Sequence, residues 1–592
     1  MTNDKQRTTP GRPRTIVRGL WPIAMIALLL ALALPAGAMP GQTTRSLHFT
    51  ASNQATGQLR VVRIRAATPE EAFHLIELGI NQFEARDGDD LLVLVTAAQQ
   101  AALLAAGWDV RLDRTRTARL RSVSPQTTQT DYRTVEETEQ FLRSMAETYP
   151  HLATLVDFGD SWERQQFGAP RGYDLLALRL TNQAITGPKP VFFLLAAIHA
   201  RELTTAEIAT RFISHLLTGY QVDPDITWLL NEHEVVVVPI ANPDGRKLAE
   251  QGYSQRKNLN RNSGDCIEPP NSGNQYGVDL NRNFAFAWGT VHGPDIFPCS
   301  LVYPGPVAAS EPETQALQTF IRSFYPDHPR PGDGMPAPDT TSGVLITLHS
   351  YSDLVLWPWG HTTTPAPNAA GLERLGRRLA AFNGYVPGQS VSLYPTSGTT
   401  DDWSYAELGI ASYTFEIGSF SNPCGGFMPP YGCLDGLGGR NFWGENLPAL
   451  LYAARVTHAP YSQPAGPDVY DIEVITDTQT LTLTATLDGR DQVVAEAALY
   501  LRIGPAQNDT ALNLQPVDGA FDAVREQGRI RLPLDQGVGR DIATADREDQ
   551  LLLLRGRNTS GIWGPLSAAW LQQTNHRYWL PLIETSRLGG KP

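Results

Sequence analysis

Continuous apolar runs separated by amphipathic segments dominate the middle of the chain. Between residues about 130 and 458, helical patterns such as TVEETEQFLRSMAETYP alternate with the short runs PVFFLLAAI, HEVVVVPI, GVLITLH and ASYTFEI. Strands that are apolar on both faces and separated by helices belong to a sheet that is covered on both sides. The pattern predicts an α/β fold with a mostly parallel or mixed central β-sheet flanked by helices. Ligands of such sheets bind beyond the carboxyl ends of the strands.

The two flanks of the chain have different patterns. Residues about 45–115 alternate strand-like and helix-like runs, as in a small α+β module, and the polar segment DRTRTARLRSVSPQTTQT after them indicates a linker. After Pro467, alternating runs with turn residues between them, such as QTLTLTATLDG, predict a β-sandwich. We expect an α+β domain with its linker over 39–125, an α/β domain over 126–460 and a β-rich domain over 467–592.

The first 38 residues resemble a signal peptide. Basic residues between positions 5 and 18 precede the apolar run LWPIAMIALLLALAL, and Ala36-Gly37-Ala38 has the small residues of a cleavage site. An uncleaved membrane anchor is the alternative, but the run is shorter than the roughly 18–20 residues that a span needs. We expect a secreted, extracellular protein with no stable membrane span after the signal is removed.

Charge and cysteine content narrow the function further. A formal net charge of -13 and a pI near 5.4 argue against a nucleic-acid partner, because a phosphate backbone requires a basic surface. In an exported protein an even set of cysteines suggests disulfides, and the four fall as Cys266 with Cys299 and Cys424 with Cys433. Three pairings remain formally open.

Candidate metal ligands lie at the ends of two apolar runs. His199 and Glu202 follow PVFFLLAAI at the start of a predicted helix, and His349 ends GVLITLH. Two His and one Glu, with a fourth position open to water, are the ligand set of a hydrolytic zinc site. Each alone has an ordinary alternative, a capping or surface residue for the first two and a hydrogen-bonded core histidine for His349.

Several runs together resemble the funnelin zinc carboxypeptidases, the carboxypeptidase A/B family. The resemblance extends over residues about 130–457, with the matching runs in the family's order. They are HARE (199–202), PIANPDG (239–245), GVDLNRNF (277–284), YPGPVAASEPET (303–314), LHSYSDLVLWPWG (348–360), LYPTSGTTDDWSY (393–405) and YTFEIG (413–418).

The resemblance implies the catalytic residues. It gives His199, Glu202 and His349 as ligands of one Zn²⁺ per chain and Glu416 as the general base. Arg256 corresponds to the arginine that polarises the scissile carbonyl, although a longer insertion between Arg256 and Asp279 departs from the digestive enzymes. Asp279 corresponds to the carboxylate that orients His199.

The resemblance also implies how substrate is bound. Asn281 and Arg282 match the pair that binds a free C-terminal carboxylate, and Tyr394 matches the mobile tyrosine that closes over it. Arg201 and Tyr351 match residues of the next subsites.

The resemblance places Asp401 at the base of the pocket for the departing side chain, where B-type enzymes carry an aspartate. This predicts a preference for C-terminal Lys and Arg, with dual basic and apolar specificity as the alternative. Gly360 is small like its counterpart in the digestive enzymes, so no second acid is expected there.

The predicted function is a secreted zinc carboxypeptidase acting on peptide and protein C-termini. Its alternatives are a zinc peptidase of cell-wall peptides and an inactive peptide-binding relative. The N-terminal module has the size and position of an inhibitory pro-segment, so an activating protease is an expected partner, with Arg114, Arg116, Arg119 and Arg121 as cleavage candidates. A permanently attached folding aid is the alternative.

Overall fold

Three β-sheet units follow one another along the chain. The computed structural model describes residues 58–121, 131–271, 273–325, 334–420, 423–503, 506–535 and 550–571. The predicted signal peptide and residues 122–130 of the predicted linker lie outside the described residues.

The N-terminal module is a four-stranded antiparallel sheet in the order β2-β3-β1-β4. Thr68 and Thr96 begin its first two helices as capping boxes with Glu71 and Gln99, which explains where the helices start. Its elements are β1 (Leu59–Arg65), α1 (Pro69–Glu77), β2 (Phe83–Asp87), β3 (Asp90–Thr96), α2 (Ala97–Ala105), β4 (Val110–Leu112) and α3 (Arg114–Arg121).

Helix α3 lies where the sequence predicts a linker. Thr117 accepts a hydrogen bond from the backbone N–H of Val61 at 3.0 Å, and Leu120 packs in one apolar cluster with Leu301 and Val302. Thr117 and Leu120, three residues apart, face inward. Two such positions are too few to give a recognisable helical periodicity in a polar segment. The linker prediction is therefore wrong for residues 114–121, which form a docked helix.

The α/β domain contains an eight-stranded mixed sheet in the order β11-β10-β12-β9-β7-β8-β6-β5. The neighbours β12-β9-β7-β8 are parallel, and β10, β6 and β5 pair antiparallel with β12, β8 and β6. None of the described helices is long and apolar enough to cross a membrane. The elements are α4 (Val135–Thr148), β5 (Ala153–Asp160), α5 (Trp162–Phe167), β6 (Asp174–Leu180), β7 (Val191–Ala196), α6 (Leu203–Gly219), α7 (Pro224–Glu232), β8 (Glu234–Val238), α8 (Pro243–Glu250), α9 (Pro312–Ser323), β9 (Val344–His349), β10 (Leu354–Trp357), α10 (Ala369–Asn383), β11 (Val386–Gln389), α11 (Thr400–Leu408), β12 (Ala411–Glu416) and α12 (Phe442–Arg455).

Strand β7 shows why the sheet has helices on both faces. Phe192 contacts Phe212 of α6, with ring centroids 6.0 Å apart, and Phe193 contacts Phe320 of α9 at 5.9 Å. Successive side chains of a strand point to opposite faces, so a continuous apolar run needs cover on each side. The predicted mixed sheet flanked by helices is confirmed.

The C-terminal part consists of two four-stranded sheets, β13-β14-β18-β17 and β16-β15-β19-β20. Leu483 of the first sheet and Leu499 and Leu552 of the second share one buried core, as expected of a sandwich. The strands are β13 (Asp468–Thr476), β14 (Thr480–Asp488), β15 (Val494–Ile503), β16 (Ala506–Asn513), β17 (Gln515–Pro516), β18 (Arg525–Pro533), β19 (Gln550–Asn558) and β20 (Ser567–Trp570).

The sandwich packs directly against the α/β domain. Leu553 and Ala568 belong to the same core as the helices of that domain. Asp225 at the start of α7 pairs with Arg455 of α12 at 2.6 Å and accepts the backbone N–H of Ala568 at 2.8 Å. The buried Asp468 accepts a hydrogen bond from the Tyr452 hydroxyl at 3.2 Å.

Two disulfides cross-link loops of the α/β domain. Cys266 pairs with Cys299 and Cys424 pairs with Cys433. The first spans the insertion after Arg256, and the second closes the loop that follows β12.

Candidate metal centre and active site

Three neighbouring parallel strands, β7, β9 and β12, bring the predicted catalytic residues to one edge of the sheet. His349 and Glu416 are the last residues of β9 and β12 and lie directly opposite each other in register. His199 comes three residues after β7, and Glu202 is the cap of α6. Since parallel strands end at the same edge, residues far apart in sequence meet there.

Side chains of His199, Glu202 and His349 converge on one point. The Nδ1 atom of His199 lies 2.9 Å from Oε1 of Glu202 and 3.0 Å from Nδ1 of His349, which is 3.2 Å from Oε2 of Glu202. All three residues are no more than 3% exposed. Two imidazole nitrogens and a carboxylate therefore present lone pairs to the same small volume.

Polar groups contact the nitrogen of each imidazole that faces away from this point. Nε2 of His199 lies 3.1 Å from Oδ1 of Asp279, which favours a proton on this Nε2 and leaves Nδ1 of His199 able to bind a cation. Nε2 of His349 lies 3.2 Å from the Thr347 hydroxyl and 3.4 Å from the Asn281 amide nitrogen. The two Nδ1 atoms are 3.0 Å apart, and a cation between them would accept the lone pairs of both. Tetrahedral zinc with bonds of about 2.0–2.1 Å spaces its ligands roughly 3.3 Å apart. The donor set fits zinc in both chemistry and spacing.

Neighbouring positive groups favour the ionised forms of two acids near this point, Glu202 and Asp279. Burial opposes the charged form of Glu202, but His199 and His349 outweigh it and hold the pKa of Glu202 below its usual value. Burial likewise opposes ionisation of Asp279, and the neighbouring Arg256 and His199 hold the pKa of Asp279 well below the ordinary range.

Glu416 differs from these two acids. Burial, together with the negative charge of Glu202, raises the pKa of Glu416 well above its usual value, although Arg256 and Arg282 act in the opposite direction. The side chain lines the same cavity as the three metal-ligand candidates. In its ionised form, a carboxyl group beside a metal site can accept a proton.

Arg256 is fixed by Asp279. Its Nε and Nη2 atoms both lie 2.9 Å from Oδ2 of Asp279, whose other oxygen holds His199. The Gln275 side chain accepts the backbone N–H of Arg256 at 2.9 Å, so the insertion folds back on the residue that precedes it. The guanidinium faces the cavity with a settled orientation.

Asn281 and Arg282 stand together on the opposite wall. The amide oxygen of Asn281 accepts from the backbone and hydroxyl of Thr400, both at 2.9 Å, and its amide nitrogen, a donor, lies 3.4 Å from Nε2 of His349. Arg282 donates to the Asn281 carbonyl at 2.7 Å, and its buried Nε has no hydrogen-bond partner among the described residues. The Tyr394 ring centroid lies 6.0 Å from the Arg282 guanidinium carbon. Unsatisfied buried donors of this kind fit an anionic ligand.

Asp401 lies in the first turn of α11 and lines the cavity. Its Oδ2 accepts hydrogen bonds from the hydroxyls of Ser390 at 2.9 Å and Thr414 at 3.2 Å, and all three residues line the cavity. The sequence analysis did not identify Ser390 or Thr414, because single hydroxyl residues in a loop and a strand carry no recognisable pattern. The backbone N–H of Gly360 donates to the neighbouring acid Asp402 at 3.0 Å.

Arg201 and Tyr351 have aromatic neighbours. The Arg201 guanidinium carbon is 3.7 Å from the Phe427 ring centroid, and the Tyr351 ring contacts Phe420 and Phe427 edge-on at 5.0 and 4.8 Å. Of the predicted site residues, all except Arg201 and Asp279 line the cavity. Arg201 contacts the cavity residue Glu84 at 3.4 Å.

The N-terminal module covers this cavity with strand β2. Glu84 and Ala85 are part of the cavity wall, Phe83 stacks on Tyr394 with ring centroids 5.6 Å apart, and Arg86 donates to the Leu393 carbonyl at 2.8 Å. From the connecting helix α3, Arg116 donates to the Tyr351 hydroxyl. Sequence analysis missed these residues because their role comes only from how the module docks.

Comparisons with known proteins agree with the fold and the site. A family model described as zinc carboxypeptidase matches residues 138–441. A protein named zinc carboxypeptidase from Saccharothrix mutabilis subsp. capreolus is 31% identical over 419 residues, which cover 67% of this chain and 87% of that protein. Carboxypeptidase B from Helicoverpa zea is 30% identical over 316 residues, 51% of this chain and 66% of its own length. The crystal structure of carboxypeptidase A from Helicoverpa armigera superposes with a TM-score of 0.50 at 23% identity, over 67% of this chain and 98% of that one, and so shares the fold.

Proposed function

This chain belongs to the zinc carboxypeptidase family and is a metallocarboxypeptidase, and we propose that it removes Lys and Arg from the C-termini of peptides outside the cell. The observation that supports this proposal best is a single cavity that joins the His-Glu-His donors to Arg282 and to Asp401. These three features correspond to a bond-breaking centre, a terminus-binding group and a side-chain pocket.

His199, Glu202 and His349 would hold the zinc ion. When bound, zinc polarises a carbonyl and makes a water easier to deprotonate. Glu416 lines the same cavity and, in its ionised form, accepts the proton of the attacking water and later passes it to the departing amine. Arg256, held by Asp279, directs positive charge to where the carbonyl oxygen becomes negative.

Arg282 and Asn281 restrict the reaction to chain ends. A guanidinium with an unpartnered buried Nε and an amide nitrogen beside it bind a free carboxylate, which an internal peptide bond lacks. Tyr394 lies next to Arg282 and closes this part of the cavity. The enzyme therefore trims ends and does not cut within chains.

Asp401 determines which end residue is removed. In a buried pocket where it accepts hydrogen bonds from the hydroxyls of Ser390 and Thr414, the Asp401 carboxylate pairs with the cationic end of Lys or Arg. An apolar end residue would leave the Asp401 charge without a cation. This favours basic over apolar C-terminal residues.

The N-terminal module keeps the enzyme latent until the connection after α3 is cut. Its support is the position of β2, whose Glu84, Phe83 and Arg86 occupy or contact the walls that a peptide must reach. Arg116 is held in the docked helix α3 by Tyr351 and Asp113, so we place the cut C-terminal to Arg116.

Export is part of the proposal and rests on the signal-like N-terminus and the two disulfides. N-terminal sequencing of protein recovered from the medium tests it, and a start near residue 39 is expected.

One assay tests the central proposal. The whole protein, treated with a trypsin-like protease and assayed with and without a chelator, is given peptides that differ only in their last residue. Chelator-sensitive release of a single C-terminal Arg or Lys is expected. Cleavage at internal bonds, or full activity after zinc has been removed and its absence verified, would contradict the proposal.

A further inference from the structure

Gln275 is a buried residue near the end of the insertion that separates Arg256 from Asp279. Its side chain is enclosed by protein, and its amide makes three hydrogen bonds. Oε1 accepts the backbone N–H of Arg256 at 2.9 Å, and Nε2 donates to the backbone carbonyls of Ser254 and, at 3.0 Å, of Asn271. A glutamine amide has two N–H donors and one carbonyl acceptor. Each of these groups therefore has a partner within the protein.

The backbone of Gln275 is itself fixed by a cross-linked loop. Its N–H donates to the carbonyl of Cys299 at 3.0 Å, and a disulfide joins Cys299 to Cys266 in the middle of the insertion. Lys257 donates to the carbonyls of the two residues on either side of Cys299, at 2.8 and 2.9 Å. Gln275 is thus part of a rigid support and not a surface side chain.

Contacts at three points hold Arg256. Its carbonyl accepts the backbone N–H of Ala200, the residue after the metal-ligand candidate His199, at 3.1 Å. Its Nε and Nη2 atoms contact Asp279, which leaves Nη1 outside these contacts. The N–H is held by Gln275 from the opposite side, that of the insertion. Because carbonyl and guanidinium are both held from the metal side, the contact to the N–H fixes the direction of the backbone that carries the side chain.

We propose that Gln275 is a positioning residue for the reaction, which holds the Arg256 backbone so that the guanidinium meets the oxygen that becomes negative during attack on the peptide bond. A donor that is fixed in advance where charge develops lowers the barrier, and a small displacement of such a group costs rate. Gln275 does not line the cavity and acts through Arg256. The inference rests on the role proposed for Arg256 and assigns to the insertion a part in catalysis.

The first experiment measures kinetics of Gln275→Met, which keeps the length of the side chain and removes its three hydrogen bonds. The whole protein is treated with trypsin and given the peptide that the wild type cleaves best. We expect kcat to fall about tenfold, less than the roughly 10²–10³ lost with an oxyanion donor itself. KM and bound zinc should change little, because Arg256 acts on the transition state. Gln318→Met, the same change at a buried glutamine of α9, is the control and should keep the wild-type kcat.

Binding of two inhibitors separates positioning from general damage to the site. A phosphonate analogue of the peptide carries negative oxygens on a tetrahedral centre, as the transition state does, whereas the free product amino acid binds through Arg282 and the side-chain pocket. Gln275→Met should weaken inhibition by the phosphonate by about the factor lost in kcat/KM and leave inhibition by the amino acid unchanged. Equal weakening of both inhibitors would show a merely structural role and overturn the proposal.

A double-mutant cycle tests whether Gln275 acts through Arg256. Arg256→Ala keeps the backbone N–H and removes the guanidinium, so the addition of Gln275→Met should lower kcat little further. Losses that multiply would show that Gln275 acts on another group and would contradict the proposal. If Gln275→Met does not fold, Gln275→Asn, which keeps the amide on a shorter side chain, enters the same cycle with the same expectation.

The outcomes distinguish this proposal from the proposed function. A wild-type kcat in folded Gln275→Met would overturn the positioning role and leave the carboxypeptidase activity in place. A normal kcat in Arg256→Ala would reject the role of Arg256 and with it that of Gln275. No hydrolysis of any peptide by the treated wild-type protein would overturn the proposed function itself.

Discussion

Single side chains in this site serve two neighbours at once. Asp279 orients His199 with one oxygen and Arg256 with the other, and Glu202 contacts both histidines. A change in one residue is therefore felt by its partners, and effects of nearby substitutions should not add. Substitutions that keep a side chain's shape and remove one chemical property are the most informative.

We expect one zinc ion per chain, lost in His349→Ala, because that change removes one of three protein ligands. Metal analysis of the purified protein measures it. His215→Ala, at a histidine beside Trp443 and away from the site, is the control and should keep its zinc. A folded, active preparation without zinc would contradict the assignment.

Glu416→Gln should keep the fold and the zinc but lose roughly 10²–10⁴ in kcat, because the amide cannot accept the proton. Steady-state kinetics together with metal analysis separate this loss from loss of the metal. A near-normal kcat would show that another group is the base.

Asp401→Ala should lower kcat/KM for peptides ending in Arg by roughly ten- to a hundredfold and change it little for those ending in Phe. The estimate follows from the 1.5–3 kcal/mol of a charged hydrogen bond. Equal losses for both peptides would mean that Asp401 supports the pocket without selecting the end residue.

Elements whose apolar pattern is continuous could be predicted from sequence, and so could the residues at their ends. His349 ends a buried strand and His199 follows one, and strands of a parallel sheet end together, so these two residues were identifiable from the pattern, whereas Glu416 was identified from the resemblance of YTFEIG. Ser390 and Glu84 could not be identified, because their role depends on which loop or module packs beside Asp401 and Arg201. Helix α3 was not predicted, because two inward-facing residues are too few to show the periodicity of an amphipathic helix.

His233, the residue after helix α7, should make the stability of the protein depend on pH. His233 is buried beside Trp228, both ring nitrogens lack a hydrogen-bond partner among the described residues, and burial with the nearby His458 lowers its pKa to about 3. The native protein holds it neutral, whereas the unfolded chain takes up a proton near pH 6.5. The contribution of His233 to the free energy of unfolding is fully present above about pH 6.5 and decreases as the pH falls toward 3. At pH 5 the loss is about 2 kcal/mol.

His233→Leu should remove this loss. The difference in unfolding free energy between pH 7 and pH 5, measured by denaturant titration, should be about 2 kcal/mol smaller in the variant than in the wild type. His151→Leu, at an exposed histidine, is the control and should keep the wild-type difference. The same pH dependence in wild type and His233→Leu would contradict the lowered pKa.

At the scale of the whole molecule, the active site is bordered by parts from distant regions of the chain. Strand β2 forms part of its wall. The loop closed by the disulfide between Cys424 and Cys433 supplies Phe427. The sandwich packs on helices of the domain that carries the site. In the proposed activation, a protease would release the first of these parts.

We expect the whole protein to hydrolyse a small basic peptide slowly and to accelerate after limited trypsin treatment that cuts C-terminal to Arg116. Activity and fragment masses are followed together over time, with inactivated trypsin as the control. Equal activity before and after the cut would favour a folding aid that stays attached.

The contact between Leu553, Ala568 and the helices of the α/β domain determines when folding can finish. These residues come about a hundred positions after Arg455, where the last helix of that domain ends. A ribosome must therefore have added residues up to Ala568 before this core can close. The catalytic centre is complete in the sequence by Glu416, yet the domain that carries it stays partly unpacked until strand β20 of the sandwich arrives.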